Sequence, residues 1–195
     1  MRPAVSAAPK PNPPRQIRVA TLTFSDTRGK HDDASGQLLD ELLGAAGFYV
    51  VSHAVVREDR ETIRAAMAAL CARADIDAVI TTGGTGLAPR DGTVEAVVPL
   101  LDKRLDGFGE AFRRLSWDEI GPNAVLSRAL AGTAGRTVVA CLPGSRKAVR
   151  LGVEALLVPT LRHAVELARG ERVAHEHDGR DGGSAATPTP GQEGP

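Results

Sequence analysis

Aromatic side chains are nearly absent from this sequence, at 3% of its 195 residues. A chain so poor in stacking surfaces is ill suited to lining up exposed bases. Net charge is missing too: the 24 Lys and Arg balance the 24 Asp and Glu. No overall field therefore draws the chain to nucleic acid or to an anionic membrane. No apolar run approaches the roughly 20 residues of a membrane-crossing helix. The start of the chain shows no signal-peptide core of about 7–15 apolar residues. There are only two cysteines, Cys71 and Cys141, far apart and without a CxxC pair. Each lies in an apolar segment and reads as an unreactive core thiol. These absences describe a soluble, cytoplasmic protein with no nucleic-acid or membrane partner.

What is present is alternation. Residues 1–15 carry five prolines, and from about Gly170 the chain turns to Gly, Pro, Ser, Thr and charge. Both ends read as disordered, leaving about residues 16–169 as one folded domain. Inside it, Ile17 to Phe24 reads as a strand. Leu38, Leu39, Leu42 and Leu43 mark a helix closed by Gly44 or Gly47, and Tyr49 to Val56 supplies a second strand. Ile63, Ala66, Met67 and Leu70 have helical spacing. The run Ile76 to Thr82 is a third strand. Helical segments are expected from about Val94 to Ala131, then a strand over Thr137 to Leu142 and the last helices. Strands alternating with helices predict an α/β fold, a doubly wound, mostly parallel sheet between two helical layers. The order of the strands is not readable.

Chemistry gathers where strands end. Three glycines in four residues, Gly83, Gly84 and Gly86, follow the third strand with Thr82 and Thr85. Glycine lets backbone N–H groups approach a phosphate without a Cβ in the way. The loop is not a P-loop, for no Lys-Ser/Thr pair follows Gly86, and it lacks the third glycine of a dinucleotide fingerprint. Arg90 and Asp91 come next, with Thr93 the expected N-cap of the following helix. Ser25 and Asp26 end the first strand, and Glu58 and Asp59 follow the second. Gly144, Ser145 and Lys147 follow Pro143 after the strand that ends at Leu142. In open α/β sheets these loops share one edge, where ligands bind.

Plainer roles compete at several positions. Asp91 suits a turn, Glu58 and Asp59 suit the first turn of a helix, and Ser145 suits an N-cap. If an acid after the second strand meets Asp91, the pair can hold Mg²⁺ directly or through its waters. Without a metal, the same closeness raises one carboxylate's pKa. Phe108 and Phe112 read as core or subunit-contact residues. Ser116, Trp117 and Glu119 resemble a capping box beside a packed indole. His31, Asp32 and Asp33 read as solvated loop, and His175 to Asp178 falls in the tail.

Taken together, several motifs resemble the molybdenum cofactor biosynthesis proteins of the MoaB/MogA type. They are Thr81 to Gly86 with Arg90, Asp91 and Thr93; Gly107-Phe108-Gly109-Glu110; Leu126-Ser127-Arg128; and Pro143-Gly144-Ser145 with Lys147. The match spans about residues 16–165, and Phe112 to Gly121 is similar to the MoaB branch. The resemblance implies a three-layer αβα domain assembled as a homotrimer or homohexamer, with transient contacts to other cofactor-biosynthesis enzymes. It implies Mg²⁺- and ATP-dependent adenylylation of molybdopterin, giving adenylyl-molybdopterin and pyrophosphate. Asp91 is then the catalytic, metal-binding carboxylate, with Glu58 or Asp59 at the second acidic position. Ser25, Asp26, Thr82, Gly83, Gly84, Thr85, Gly86, Arg90, Gly144, Ser145 and Lys147 serve nucleotide or pterin. Three positions depart from the pattern: Glu58 stands where Asp is usual, and Val94 and Arg146 stand where proline is common. The alternative is a catalytically idle pterin-binding or scaffold member of the family.

Overall fold

The structure, a computed structural model, describes residues 15–26 and 32–171. Thr27, Arg28, His31, the tail motif His175 to Asp178 and most of both expected disordered ends lie outside the described residues.

Six strands form one sheet: β1 (Arg18–Phe24), β2 (Tyr49–Val56), β3 (Ala78–Thr82), β4 (Lys103–Arg104), β5 (Leu130–Ala134) and β6 (Thr137–Leu142). Their order is β2-β1-β3-β6-β5-β4. The first four in that order run parallel, and β5 runs antiparallel to both β6 and β4. The α/β, mostly parallel arrangement read from the sequence is the one found.

Period-two alternation divides each central strand between two cores. Val19, Ala78, Ile80, Val138, Ala140 and Leu142 face one helical layer, formed by α1 (Ala34–Ala45), α4 (Asp106–Ile120), α5 (Arg146–Leu151) and α6 (Val158–Arg169). Ala20, Leu22, Phe24, Val79, Val139 and Cys141 face the other, formed by α2 (Arg60–Cys71) and α3 (Thr93–Val97). Burial on both faces is why these strands read as unbroken apolar runs. Phe112 is 1% exposed in the first core, with Phe108 packed against it. Burial pushes the Cys141 thiol up to about 12 and that of Cys71 to about 11, so both stay protonated and inert.

The region from Val94 to Ala131 differs from expectation. A short α3 and a 3₁₀ turn give way to β4, then α4, another 3₁₀ turn and β5. The sequence Leu-Ala-Gly-Thr-Ala of β5 has little intrinsic strand preference. Its pairing is imposed by the hairpin to β6, which turns through Gly135 at φ +58°. Gly132 has no room for a side chain, because a Cβ would stand 2.4 Å from the Lys103 carbonyl oxygen. Gly107 and Gly109 lie inside α4. A Cβ on Gly109 would stand 2.6 Å from the Ala129 carbonyl oxygen, so this glycine sets how closely α4 approaches the chain entering β5. Ser116 and Trp117 are interior to α4, which rules out the capping box, and the indole is half exposed.

At the edge of the sheet opposite the strand C-termini, Asp77 ties the chain's ends together. Its wholly buried carboxylate accepts from the Arg18 amide at 2.8 Å, and it pairs with Arg15 and with Arg169 of α6. Arg169 is 13% exposed, so losing its carboxylate strands a buried cation. Asp77→Ala is expected to lower stability by about 3 kcal/mol or more. Arg15→Ala removes an exposed cation and leaves Asp77 paired with Arg169, so it should cost at most about 1 kcal/mol. Urea melts compare the two; equal losses would contradict the assignment.

Candidate functional site

Between β1 and β3 the order of the sheet reverses: the chain passes from β1 outward to β2, then returns to lay β3 on β1's other side. At such a switch point the connections diverge and leave a crevice beyond the strand C-termini. A cavity of ≈ 510 Å³ lies there, lined by the ends of β1, β3 and β6 and the loop after β2.

The floor of the crevice is the glycine turn after β3. Gly83 and Gly84 have φ of +105° and +63°, conformations that side chains disfavour. Space forbids a side chain as well. A Cβ on Gly83 would stand 2.3 Å from the Phe24 carbonyl oxygen, and one on Gly84 would stand 2.3 Å from Thr93 Oγ1 and 2.7 Å from Glu58 Oε1. The Gly83 amide donates to the Leu142 carbonyl at 3.0 Å, so this glycine contributes conformation and not a phosphate donor. Thr93 is the first residue of α3, and Gly92 occupies the cap position assigned to it from sequence. Its hydroxyl, 3.0 Å from the Gly83 carbonyl, locks the turn instead of capping the helix.

Two acids meet over this turn. Glu58 and Asp91 both line the crevice, near enough for Asp91 to act on the Glu58 pKa. Burial, then the charges of Asp91 and Asp26, push the Glu58 pKa above the usual carboxylate value; Arg90 opposes this. Asp91 is held in place by the Ala88 amide, which donates to its Oδ2 at 2.7 Å. A Cβ on Gly86 would approach that same oxygen to 2.5 Å, so the third glycine makes room for the carboxylate. Beside Asp91 the Glu58 carboxyl resists ionisation, and both side chains line the cleft open to a ligand. That donor set fits a hard cation such as Mg²⁺, which accepts one or two carboxylates and keeps several waters. Among the described residues no cluster of three or more His, Cys, Asp or Glu forms a closed metal cage.

Of the residues singled out by sequence, Ser25, Glu58, Gly83, Gly84, Thr85, Gly86, Asp91, Gly144 and Ser145 line this cavity together. Five do not. The Asp59 carboxylate is the N-cap of α2 and accepts from the Thr62 amide at 2.9 Å, which leaves Glu58 as the acid facing Asp91. Thr82 is buried, its hydroxyl donating to the Pro143 carbonyl at 3.0 Å. Asp26 sits behind the lining: its Oδ1 accepts from the Glu58 amide at 3.0 Å, and its Oδ2 pairs with the exposed Arg90 at 3.4 Å. Lys147 lines a separate groove with Arg146 and Arg150 beside α1. Ser145 is the N-cap of α5, its Oγ accepting from the Ala148 amide at 3.2 Å.

Sequence reasoning missed Ser127, which lines the cavity, and Arg128 behind it. Arg128 donates to the Gly86 carbonyl at 2.9 Å and the Asp91 carbonyl at 3.2 Å, and it pairs with Glu95. One guanidinium thus clamps both ends of the loop that carries Asp91. The only signal was membership of the Leu126-Ser127-Arg128 motif; its partners lie some 30 to 40 residues away in sequence.

Known proteins resemble this chain in sequence and in fold. Residues 20–163 match the family described as a probable molybdopterin binding domain. Molybdenum cofactor biosynthesis protein B of Bacillus cereus is 49% identical over 155 residues, covering 79% of this chain and 92% of the relative. A crystal structure of a molybdenum cofactor biosynthesis protein B superposes with a TM-score of 0.79 at 47% identity, over 82% of this chain and all of that one. The tungsten cofactor synthesizing protein MoaB from Pyrococcus furiosus superposes with a TM-score of 0.73 at 37% identity, over 80% of this chain and 99% of that one. The chain therefore belongs to the molybdenum cofactor biosynthesis family, whose domain is the probable molybdopterin binding domain.

Proposed function

We propose that this protein acts in molybdenum cofactor biosynthesis by adenylylating molybdopterin with Mg-ATP. The observation that carries the proposal is the meeting of Glu58 and Asp91 above a glycine turn at the switch point of the sheet. The terminal phosphate of the pterin attacks the α-phosphorus of ATP. A new P–O–P linkage forms as the bond from the α-phosphorus to its bridging oxygen breaks, and pyrophosphate leaves. The attacking group is already an anion and needs no strong base, so the protein's task is alignment and management of charge. Backbone from Gly84 to Gly86 cradles the phosphates, with Ser25 and Ser145 as hydroxyls on the rim. Arg90, exposed at the lip, offsets negative charge from outside, and Arg128 keeps the loop bearing Asp91 from shifting. Glu58 and Asp91 would hold Mg²⁺, which when bound neutralises phosphate charge. Assembly as a homotrimer or homohexamer and a cytoplasmic location belong to the same proposal.

The test supplies purified protein with molybdopterin and Mg-ATP and looks for pyrophosphate and an AMP–pterin adduct. Asp91→Asn should keep the fold by circular dichroism and lower turnover by about 10² or more. Full activity in that variant would remove Asp91 from the reaction. Binding of both substrates without any turnover would favour the catalytically idle alternative.

The same substitution reports on the carboxylate contact without any ligand. Because its folded pKa is raised, Glu58 favours the native state most fully below its ordinary carboxylate pKa. That contribution is lost as pH rises through the raised value. Asp91→Asn removes the foremost like charge and should lower the Glu58 pKa, leaving the parts due to burial and to Asp26. Side-chain NMR titration of Glu58 reads this directly, and an unchanged titration would show that the two acids do not interact.

A further inference from the structure

A second titratable cluster lies under the Pro143–Ser145 side of the cleft. His53 stands in the middle of β2, paired in register with Thr21 of β1. Its side chain is 12% exposed. Nε2 is 3.1 Å from Oδ2 of Asp33, whose side chain is fully buried. Nδ1 is 2.9 Å from the Thr21 hydroxyl and 3.4 Å from Oδ2 of Asp40. Thr21 donates its own proton to Asp40 at 2.6 Å, so the Thr21 oxygen is left to accept from Nδ1. Carboxylates accept and cannot donate. With Thr21 donating to Asp40, both ring nitrogens face acceptors, an arrangement that the doubly protonated imidazolium satisfies. Among the described residues, the charged groups facing it are Asp33 and Asp40, both from the α1 side, while β1 offers the neutral Thr21 hydroxyl. Hydrogen bonding to Asp40 is the foremost influence holding the His53 pKa above its ordinary value; burial opposes it, and Asp33 adds to it.

Asp33 has a second task. It is the N-cap of α1, its Oδ1 accepting from the Gly36 amide at 2.9 Å. There is no slack around it. A Cβ on Gly36 would stand 2.1 Å from Asp33 Oδ2 and 2.4 Å from His53 Cε1. Between the two, Ser35 is buried and donates its hydroxyl to the Gly144 carbonyl at 2.9 Å. Gly144 lines the cleft and packs onto Gly83, where an added Cβ would stand 3.4 Å from the Gly83 Cα. A continuous path of contacts therefore runs from His53 through Asp33 and Ser35 to the cleft wall.

We infer that His53 is a positioning residue for the cleft: by gripping Asp33 it fixes the start of α1, and through Ser35 it fixes the Pro143–Gly144–Ser145 wall against the glycine turn. The inference rests on the reading of this cleft as the nucleotide site. Loss of one imidazolium proton leaves Asp33 with a neutral N–H donor in place of a charged one, and the brace on Gly144 slackens. Since the folded His53 pKa is raised, the ordered wall is complete below the ordinary histidine pKa and is lost as pH rises through the raised value.

The experiment measures Mg-ATP binding to the full chain by calorimetry from about pH 6 to about pH 9, bracketing ordinary histidine titration. Wild type should bind more weakly as pH rises through the His53 transition. His53→Lys keeps a permanent cation between the two carboxylates and should retain the low-pH affinity while losing that step. His53→Gln, neutral at every pH, should bind about fivefold or more weakly at low pH, the lower end of typical coupling between sites. Circular dichroism and thermal melts at each pH separate this from a purely structural role, which would lower stability and leave the affinities and the pH step unchanged. Identical pH profiles in all three proteins would overturn the inference and leave the nucleotide site standing. A wild type that fails to bind Mg-ATP at any pH would remove both.

Discussion

The arrangement depends on the contact between the end of β3 and the end of β1. Gly83 turns the chain at a positive φ directly against the Phe24 carbonyl, with no space for a side chain. That closeness brings the loops after four parallel strands to a single edge. It also lets Thr93 and the Leu142 carbonyl hold the turn from either side. A substitution at Gly83 would push β1 and β3 apart at the switch point, and the cleft exists because they are not apart.

Charge is distributed around this turn in two ways. Inside the cleft, Glu58 and Asp91 are left facing each other, a state that costs free energy until a proton or cation intervenes. Behind it, charges are matched: Arg128 with Glu95, Arg90 with Asp26, His53 with Asp33 and Asp40. The matched pairs lie behind the cleft, and the unmatched pair lines it. A perturbed carboxyl with a specific charge partner in a cleft marks a candidate functional site.

Much of this was legible in the sequence, and what was not has identifiable causes. β1, β3 and β6 were readable because strands buried on both faces must be apolar throughout. The glycine turn was readable because positive φ and close packing admit little else. β4 and β5 were not, since Leu130 to Ala134 acquires its strand from pairing to β6 and carries few strand-forming residues. Thr93 was misassigned as a cap because the same hydroxyl that suits an N-cap can instead reach a carbonyl ten residues back. Adjacent Glu58 and Asp59 could not be told apart by type; only the start of α2 decides which one caps and which one faces Asp91. Arg128 and His53 act across long stretches of chain, through partners that no local pattern marks.

The most direct test of the central claim is a crystal structure of the protein with Mg²⁺ and a non-hydrolysable ATP analogue. The triphosphate should lie along Gly84 to Gly86, with the metal bound by Glu58 and Asp91 directly or through its waters. A nucleotide seated elsewhere, with those two carboxylates still facing each other and no metal between them, would contradict the account.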